Sequence, residues 1–170
     1  MTLSMYEASI PVFKRALTQL SAVLHKAAAH AEAKKFDPAV LVNARLAPDM
    51  LPLSRQIQIA SDHARGAAAR LAGLARPPVP DNETTLDDLQ ARIAATLAYI
   101  DGFTPAQIDG SETKDISLKI GAHELKFQGQ PYLLGFVVPN FFFHVTTAYN
   151  ILRHNGVDIG KQDFLGPLPT

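Results

Sequence analysis

Residues 139–156, PNFFFHVTTAYNILRHNG, decide the fold of this chain. The stretch is unusually apolar around its circumference, with two neighbouring stripes at helical spacing, which predicts a helix that is buried on several sides. We expect this helix to run from about Tyr132 to Asn155 with a kink at Pro139, or to start afresh at Pro139, and to end at Gly156. His144 is therefore either a packed core residue or a ligand that points into a helical bundle. The two stripes are Phe141, Val145, Ala148, Leu152 and Asn140, His144, Thr147, Ile151.

Three earlier helices are predicted from apolar residues that recur every three or four positions. The first begins at Leu3, and Pro11 gives it either a late start or a kink. After a connecting loop over residues 36–52, the second begins near Leu53, continues its apolar seam to Leu74 and ends before residues 76–78. The third covers about residues 86–103, where acidic residues in the first turn suit the helix dipole.

Residues 115–128 carry a different pattern, in which apolar and polar residues alternate on both sides of a turn at Gly121. Alternation of this kind predicts a β-hairpin. The expected fold class is therefore all-α, an up-down four-helix bundle with a small β-hairpin inserted between the third and fourth helices. Residues 1–170 are expected to form a single domain, since a chain of this length commonly has one core.

Composition excludes several classes of function. The 170 residues include no cysteine, so disulfides, thiolate metal sites and cysteine nucleophiles are ruled out within the chain. Sixteen basic and sixteen acidic residues cancel, and no dense basic run predicts nucleic-acid binding. No window approaches the ~20 apolar residues that span a bilayer. We expect a cytoplasmic protein without a membrane or nucleic-acid partner.

Three segments resemble the DinB-like (YfiT-like) metalloenzyme superfamily, and within it the uncharacterised DUF1993 branch. They are DHARGAAARLAG (residues 62–73), PNFFFHVTTAYNILRHNGVDIGK (residues 139–161) and DFLG (residues 163–166). The resemblance covers nearly the whole chain. It implies a helical bundle in which one histidine of the second helix joins an HxxxH pair on the last helix to hold a divalent metal.

Carried over to this sequence, the resemblance assigns the metal positions to His63, Asn140 and His144. Residues four apart lie on one helical face, and the opposing helix supplies the third corner. Three protein ligands with an open position are typical of catalytic zinc. Asn140 departs from the pattern, because an amide oxygen is a poorer ligand than imidazole for zinc or nickel. The site has lost its metal, binds one weakly with water filling the gap, or uses a carboxylate that the sequence alone does not place.

Two functions follow, and the sequence leaves open whether the protein is an enzyme. In the first, the degenerate metal site of His63, Asn140 and His144 binds a divalent metal or a small ligand. In the second, the protein is a metal-free homodimer that serves in interactions or small-molecule binding. The same three residues would then form a buried, hydrogen-bonded polar cluster, because buried polar side chains need partners.

Overall fold

The protein is mostly helical, with one small antiparallel sheet. A computed structural model describes residues 3–167, apart from the side chain of Ile120. A π-helical segment, Tyr132–Val137, directly precedes the last long helix. The elements are α1 (Ile10–Lys34), α2 (Ala39–Asn43), α3 (Leu53–Leu71), α4 (Leu86–Asp101), α5 (Pro105–Ile108), β1 (Asp115–Ile120), β2 (His123–Gln128), α6 (Gly129–Pro131), α7 (Val138–His154) and α8 (Lys161–Leu165).

The core lies between the four longest described helices. Helix α3 packs against α4 and α7, and α1 packs against the same two helices. The buried face of α3 is rich in alanine, together with Leu53, Ile57 and Leu71. Phe13 of α1 meets Phe141 of α7 edge-on at 4.9 Å between ring centroids. Within residues 3–167, no helix is both long and apolar enough to cross a membrane.

The beginnings and ends of the helices differ in two places from the sequence prediction. Helix α1 begins at Ile10 with Pro11 in its first turn, so the late start is confirmed. A proline is tolerated there because its missing N–H has no helical partner to lose. Leu3 is 76% exposed and outside the core, so the prediction that it belongs to the seam is wrong. Leu74, 52% exposed, likewise lies beyond the end of α3.

The hairpin is confirmed between the third and last long helices. Strands β1 and β2 are antiparallel, with a register from Asp115 opposite Gln128 to Ile120 opposite His123. Gly121 in the two-residue turn has a φ of +57°, a conformation that glycine adopts without strain. Leu118 of β1 is half-buried and brings the hairpin to the functional site described below.

The last helical stretch already includes Tyr132, as predicted, and the alternative of a fresh start at Pro139 is wrong; the stretch is less regular than the sequence indicated. The π-helical segment leads into α7 without a break, and the N–H of Val138 donates to the carbonyl of Leu133, five residues earlier. Pro139 follows at once in the first turn of α7. The predicted stop at Gly156 agrees with its φ of +87°. Tyr132 and Phe136 of this segment line the same cavity as His63.

Candidate functional site

Helices α3 and α7 bring His63 and His144 together. Their ring centroids are 6.0 Å apart, and the ring planes differ by 21°. His63 also meets the ring of Phe136 edge-on at 5.8 Å. Both histidines lie at the contact between the two helices, which the alanine-lined face of α3 makes close.

A second side chain from α3 orients His144. Its Nδ1 lies 2.7 Å from Oε1 of Gln56, and Nε2 of Gln56 donates to the carbonyl of Leu51 at 2.9 Å. With the amide oriented in this way, Oε1 can only accept, so Nδ1 of His144 carries the proton. The Nε2 atom of His144 is then left with its lone pair. Buried metal-binding histidines are held by the same kind of hydrogen bond.

Asn140 lies one turn before His144 on α7, but its side chain is engaged elsewhere. Its Nδ2 donates to the carbonyl of Phe136 at 2.6 Å, within its own helical stretch. Among residues 3–167, no hydrogen bond joins His63, Asn140 and His144 to one another. The Oδ1 atom is the part of the amide that could face a ligand.

Electrostatics keep both imidazoles neutral near physiological pH. Burial, and next the nearby His144, lower the pKa of His63 from 6.5 to about 4; Arg70 and Arg76 act in the same direction, and Asp62 opposes them. Burial also lowers the pKa of His144. Neutral imidazole is the form that coordinates a metal.

A cavity of about 350 Å³ opens beside His63, and we call it the His63 cavity. Its apolar wall comes from three elements: Ile59 of α3, Leu118 of β1 and Phe136 of the π-helical segment. Its polar wall combines donors with one carboxylate. The polar residues are Asp62, His63, Arg70, Arg76 and Tyr132.

Asp62, next to His63 in sequence, is committed to two arginines. Its carboxylate lies 2.7 Å from Nη1 of Arg76 and 3.0 Å from Nη2 of Arg92. Arg92 comes from α4, has a side chain only 3% exposed, and also pairs with Asp81 and Glu83. Asp62 is therefore held away from the role of a free metal ligand.

His63 and His144 are the two imidazole donors that a divalent ion would find here. Two imidazoles that share a zinc ion at the usual Zn–N distance of about 2.1 Å have centroids roughly 5–6 Å apart, so the observed separation is at the upper limit. Within the described part of the chain, no three His, Cys, Asp or Glu side chains converge on one point. His63 and His144 would hold the ion, with Oδ1 of Asn140 as a neutral neighbour.

Comparison with known proteins places this chain in a family. The domain of unknown function DUF1993 matches residues 5–165. The chain belongs to the DUF1993 family. A crystal structure of a DinB family member protein from Shewanella denitrificans is 42% identical, covers 97% of this chain and 93% of that one, and superposes with a TM-score of 0.87. The DinB-like resemblance is thus confirmed, while no curated protein matches.

Sequence reasoning about this DUF1993 protein missed the polar residues that surround the histidines. Gln56 and Arg70 lie seven positions before and after His63, which places all three on one face of α3. The spacing shows that they share a face with His63, but it does not show that this face is buried. Tyr132 and Arg76 had no comparable signal, because one depends on the π-helical segment and the other on the loop after α3.

The lowered pKa of His63 predicts how stability of this DUF1993 protein depends on pH. Because the folded pKa lies below the unfolded value of 6.5, the unfolded chain takes up the proton first, and stability is lost as pH falls from 6.5 toward 4. We expect this group to account for a loss of about 2–3 kcal/mol between pH 7 and pH 4. Urea denaturation of wild type and His63→Gln at both pH values measures it. Carboxylate effects cancel in the comparison, and an equal loss in both proteins would contradict the assignment.

Proposed function

We propose that this DUF1993 protein binds a small ligand at a degenerate metal site, in which His63 and His144 hold a divalent ion weakly. Asn140 contributes at most a neutral oxygen, which accounts for the weakness. The proposal takes the four long helices as an up-down bundle of DinB type, with the site between the second and fourth of them. A bound zinc or nickel ion would supply Lewis-acid chemistry toward a ligand in the His63 cavity.

The observation that carries the proposal is the hydrogen bond from Nδ1 of His144 to Gln56. This hydrogen bond fixes the side chain of the buried Gln56. It also leaves the Nε2 atom of His144 unprotonated, next to the second neutral imidazole of His63. A structural histidine would also need a hydrogen-bond partner, so the support for a metal site comes from the imidazole of His63 next to the free Nε2 atom. The open cavity gives a ligand access to His63, whereas His144 is not among its lining residues.

Zinc titration of the metal-free protein tests the proposal. We expect one zinc ion per chain in isothermal titration calorimetry, and a loss of affinity beyond about 100-fold in His144→Ala, since even indirect support of a metal ligand is worth 10–100-fold. His154→Ala removes an exposed histidine from the same helix and is the matched control, with unchanged binding. Absence of binding by wild type to zinc, nickel and manganese would refute the metal site.

A second candidate is a metal-free homodimer in which these side chains are structural. What favours it is that Asn140 and His144 each have a protein hydrogen-bond partner without a metal. Phe143 on α7 is 56% exposed and supplies an apolar side chain for a contact between copies. Under this candidate, zinc does not bind and His144→Ala lowers stability alone. A monomer in light scattering at high concentration would contradict the dimer.

A further inference from the structure

The His63 cavity has an excess of positive charge. Arg70 and Arg76 are the guanidinium groups in its lining, and Asp62 is the one carboxylate there. Asp62 divides its two oxygens between Arg76 and Arg92. Arg70 has no carboxylate partner among the described residues, so the cavity presents one uncompensated guanidinium.

Tyr132 adds a neutral donor beside that guanidinium. Its hydroxyl oxygen accepts a hydrogen bond from Nη1 of Arg70 at 3.0 Å, and the side chain is only 1% exposed. Burial raises the pKa of Tyr132, which keeps the hydroxyl protonated. Within residues 3–167 its proton has no acceptor, although a buried hydroxyl normally finds one. The unpaired proton lies at the cavity wall, where a ligand oxygen could accept it.

Gly66 makes room for this arrangement. It lies inside α3, one turn before Arg70, where glycine is a poor helix former. A Cβ atom at this position would lie 2.4 Å from Nη1 of Arg70 and 3.6 Å from Cδ of Arg76. The glycine therefore lets the guanidinium fold back across its own helix to the cavity and Tyr132.

We propose that the His63 cavity binds a small monocarboxylate with an apolar body. The carboxylate pairs with the guanidinium of Arg70 and accepts the proton of Tyr132, while the body packs on Ile59, Leu118 and Phe136. One net positive charge suits a monoanion, and the planar guanidinium fork suits a carboxylate. This inference rests on the proposed function for the place of the ligand, but the anion contacts do not require a metal.

Benzoate is a probe of this size and charge. In calorimetry with chelator-treated protein, we expect benzoate to bind and the neutral, equally shaped benzamide to bind at least about 10-fold more weakly, since hydrogen bonds to a charged group are the strong ones. Inorganic phosphate is an anion without an apolar body, so it tests the contribution of the apolar wall. We expect phosphate to bind more weakly than benzoate. Equal binding of benzamide, or tighter binding of phosphate, would overturn the proposal.

Variants locate the binding. We expect Arg70→Met to weaken benzoate about 10- to 100-fold and Gly66→Ala to weaken it by moving the guanidinium, while Arg153→Met, an exposed charge on α7, has no effect. Melting curves establish that each variant is folded. Wild-type affinity in folded Arg70→Met would overturn the proposal.

Zinc titration separates this inference from the proposed function. Arg70→Met should bind zinc at least as tightly as wild type, because Arg70 donates no hydrogen bond to His63 or His144 and its positive charge opposes a cation beside His63. Benzoate binding without zinc binding would retain the carboxylate site and remove the metal. Zinc binding without a preference for benzoate over benzamide would retain the metal site and exclude the carboxylate site.

Discussion

Arg92→Met is expected to lower the free energy of unfolding by about 3–5 kcal/mol, the range for breaking a buried ion pair by removing one partner. Arg92 is nearly enclosed, and its guanidinium contacts three carboxylates, from Asp62, Asp81 and Glu83, at 2.9–3.0 Å. Without it, three negative charges remain close together, and Glu83 has a side chain only 9% exposed. The ion pair between Arg92 of α4 and Asp62 of α3 also lies beside the His63 cavity. We therefore expect ligand binding in the cavity to weaken together with the stability of the protein.

Arg55→Met is the matched control for Arg92→Met. Arg55 pairs with the same Asp81 at 2.5 Å, but both side chains are more than a third exposed. Exposed ion pairs contribute little, so we expect a loss of at most about 1 kcal/mol. Urea denaturation of both variants at neutral pH gives the two values. A loss in Arg92→Met no larger than in the control would show that the network is not a stabilising element.

Asn140→His is expected to tighten zinc binding by about 100-fold or more, because a third imidazole completes the set of three protein ligands typical of zinc sites. Position 140 precedes His144 by one turn and shares its helical face. The substitution gives up the hydrogen bond from Asn140 to the Phe136 carbonyl, which costs stability in the metal-free form. Zinc should therefore raise the melting temperature more in the variant than in wild type.

Asn150→His provides the control for an added histidine. Position 150 lies on the same helix but on a different face, so the new imidazole cannot join His63 and His144. We expect unchanged zinc affinity for that variant in competition titrations with a chromophoric chelator. If Asn140→His bound zinc no more tightly than Asn150→His, Asn140 would not be the missing corner of the site.

Much of the fold could be predicted from sequence because its signals are local. The apolar seams of α1, α3 and α4 repeat at helical spacing, and the alternation in residues 115–128 identifies the hairpin. Thr85 and Asp88 cap α4 reciprocally, as the threonine and acidic residues in that stretch suggested. These features depend on neighbours within one or two turns.

The irregular parts could not be predicted, because they depend on tertiary contacts. The sequence did not indicate the π-helical segment, which packs on α3 and leads into α7 without a new start at Pro139. Leu3 fits the seam of α1 by spacing alone, yet the helix begins later and leaves it exposed. Periodicity describes which residues could share a face but not where the backbone joins the core.

In the candidate site, too, some residues could be predicted from the sequence and others could not. His63 and His144 were identified through the family resemblance, and the packing of α3 on α7 brings them together. Gln56 and Arg70 were missed because polar residues on a helix usually face solvent, and only the partner helix shows that they do not. Their contacts with His144 and Tyr132 are long-range in sequence.

The most direct test of the metal site is to observe the imidazole nitrogens of all six histidines by NMR during zinc addition. We expect the first equivalent of zinc to shift the ¹⁵N resonances of His63 and His144 together, with Nε2 of His144 as the coordinating atom. The exposed His25, His123 and His154 should remain unchanged at that point. Shifts confined to the exposed histidines, with His63 and His144 unaffected, would contradict the account.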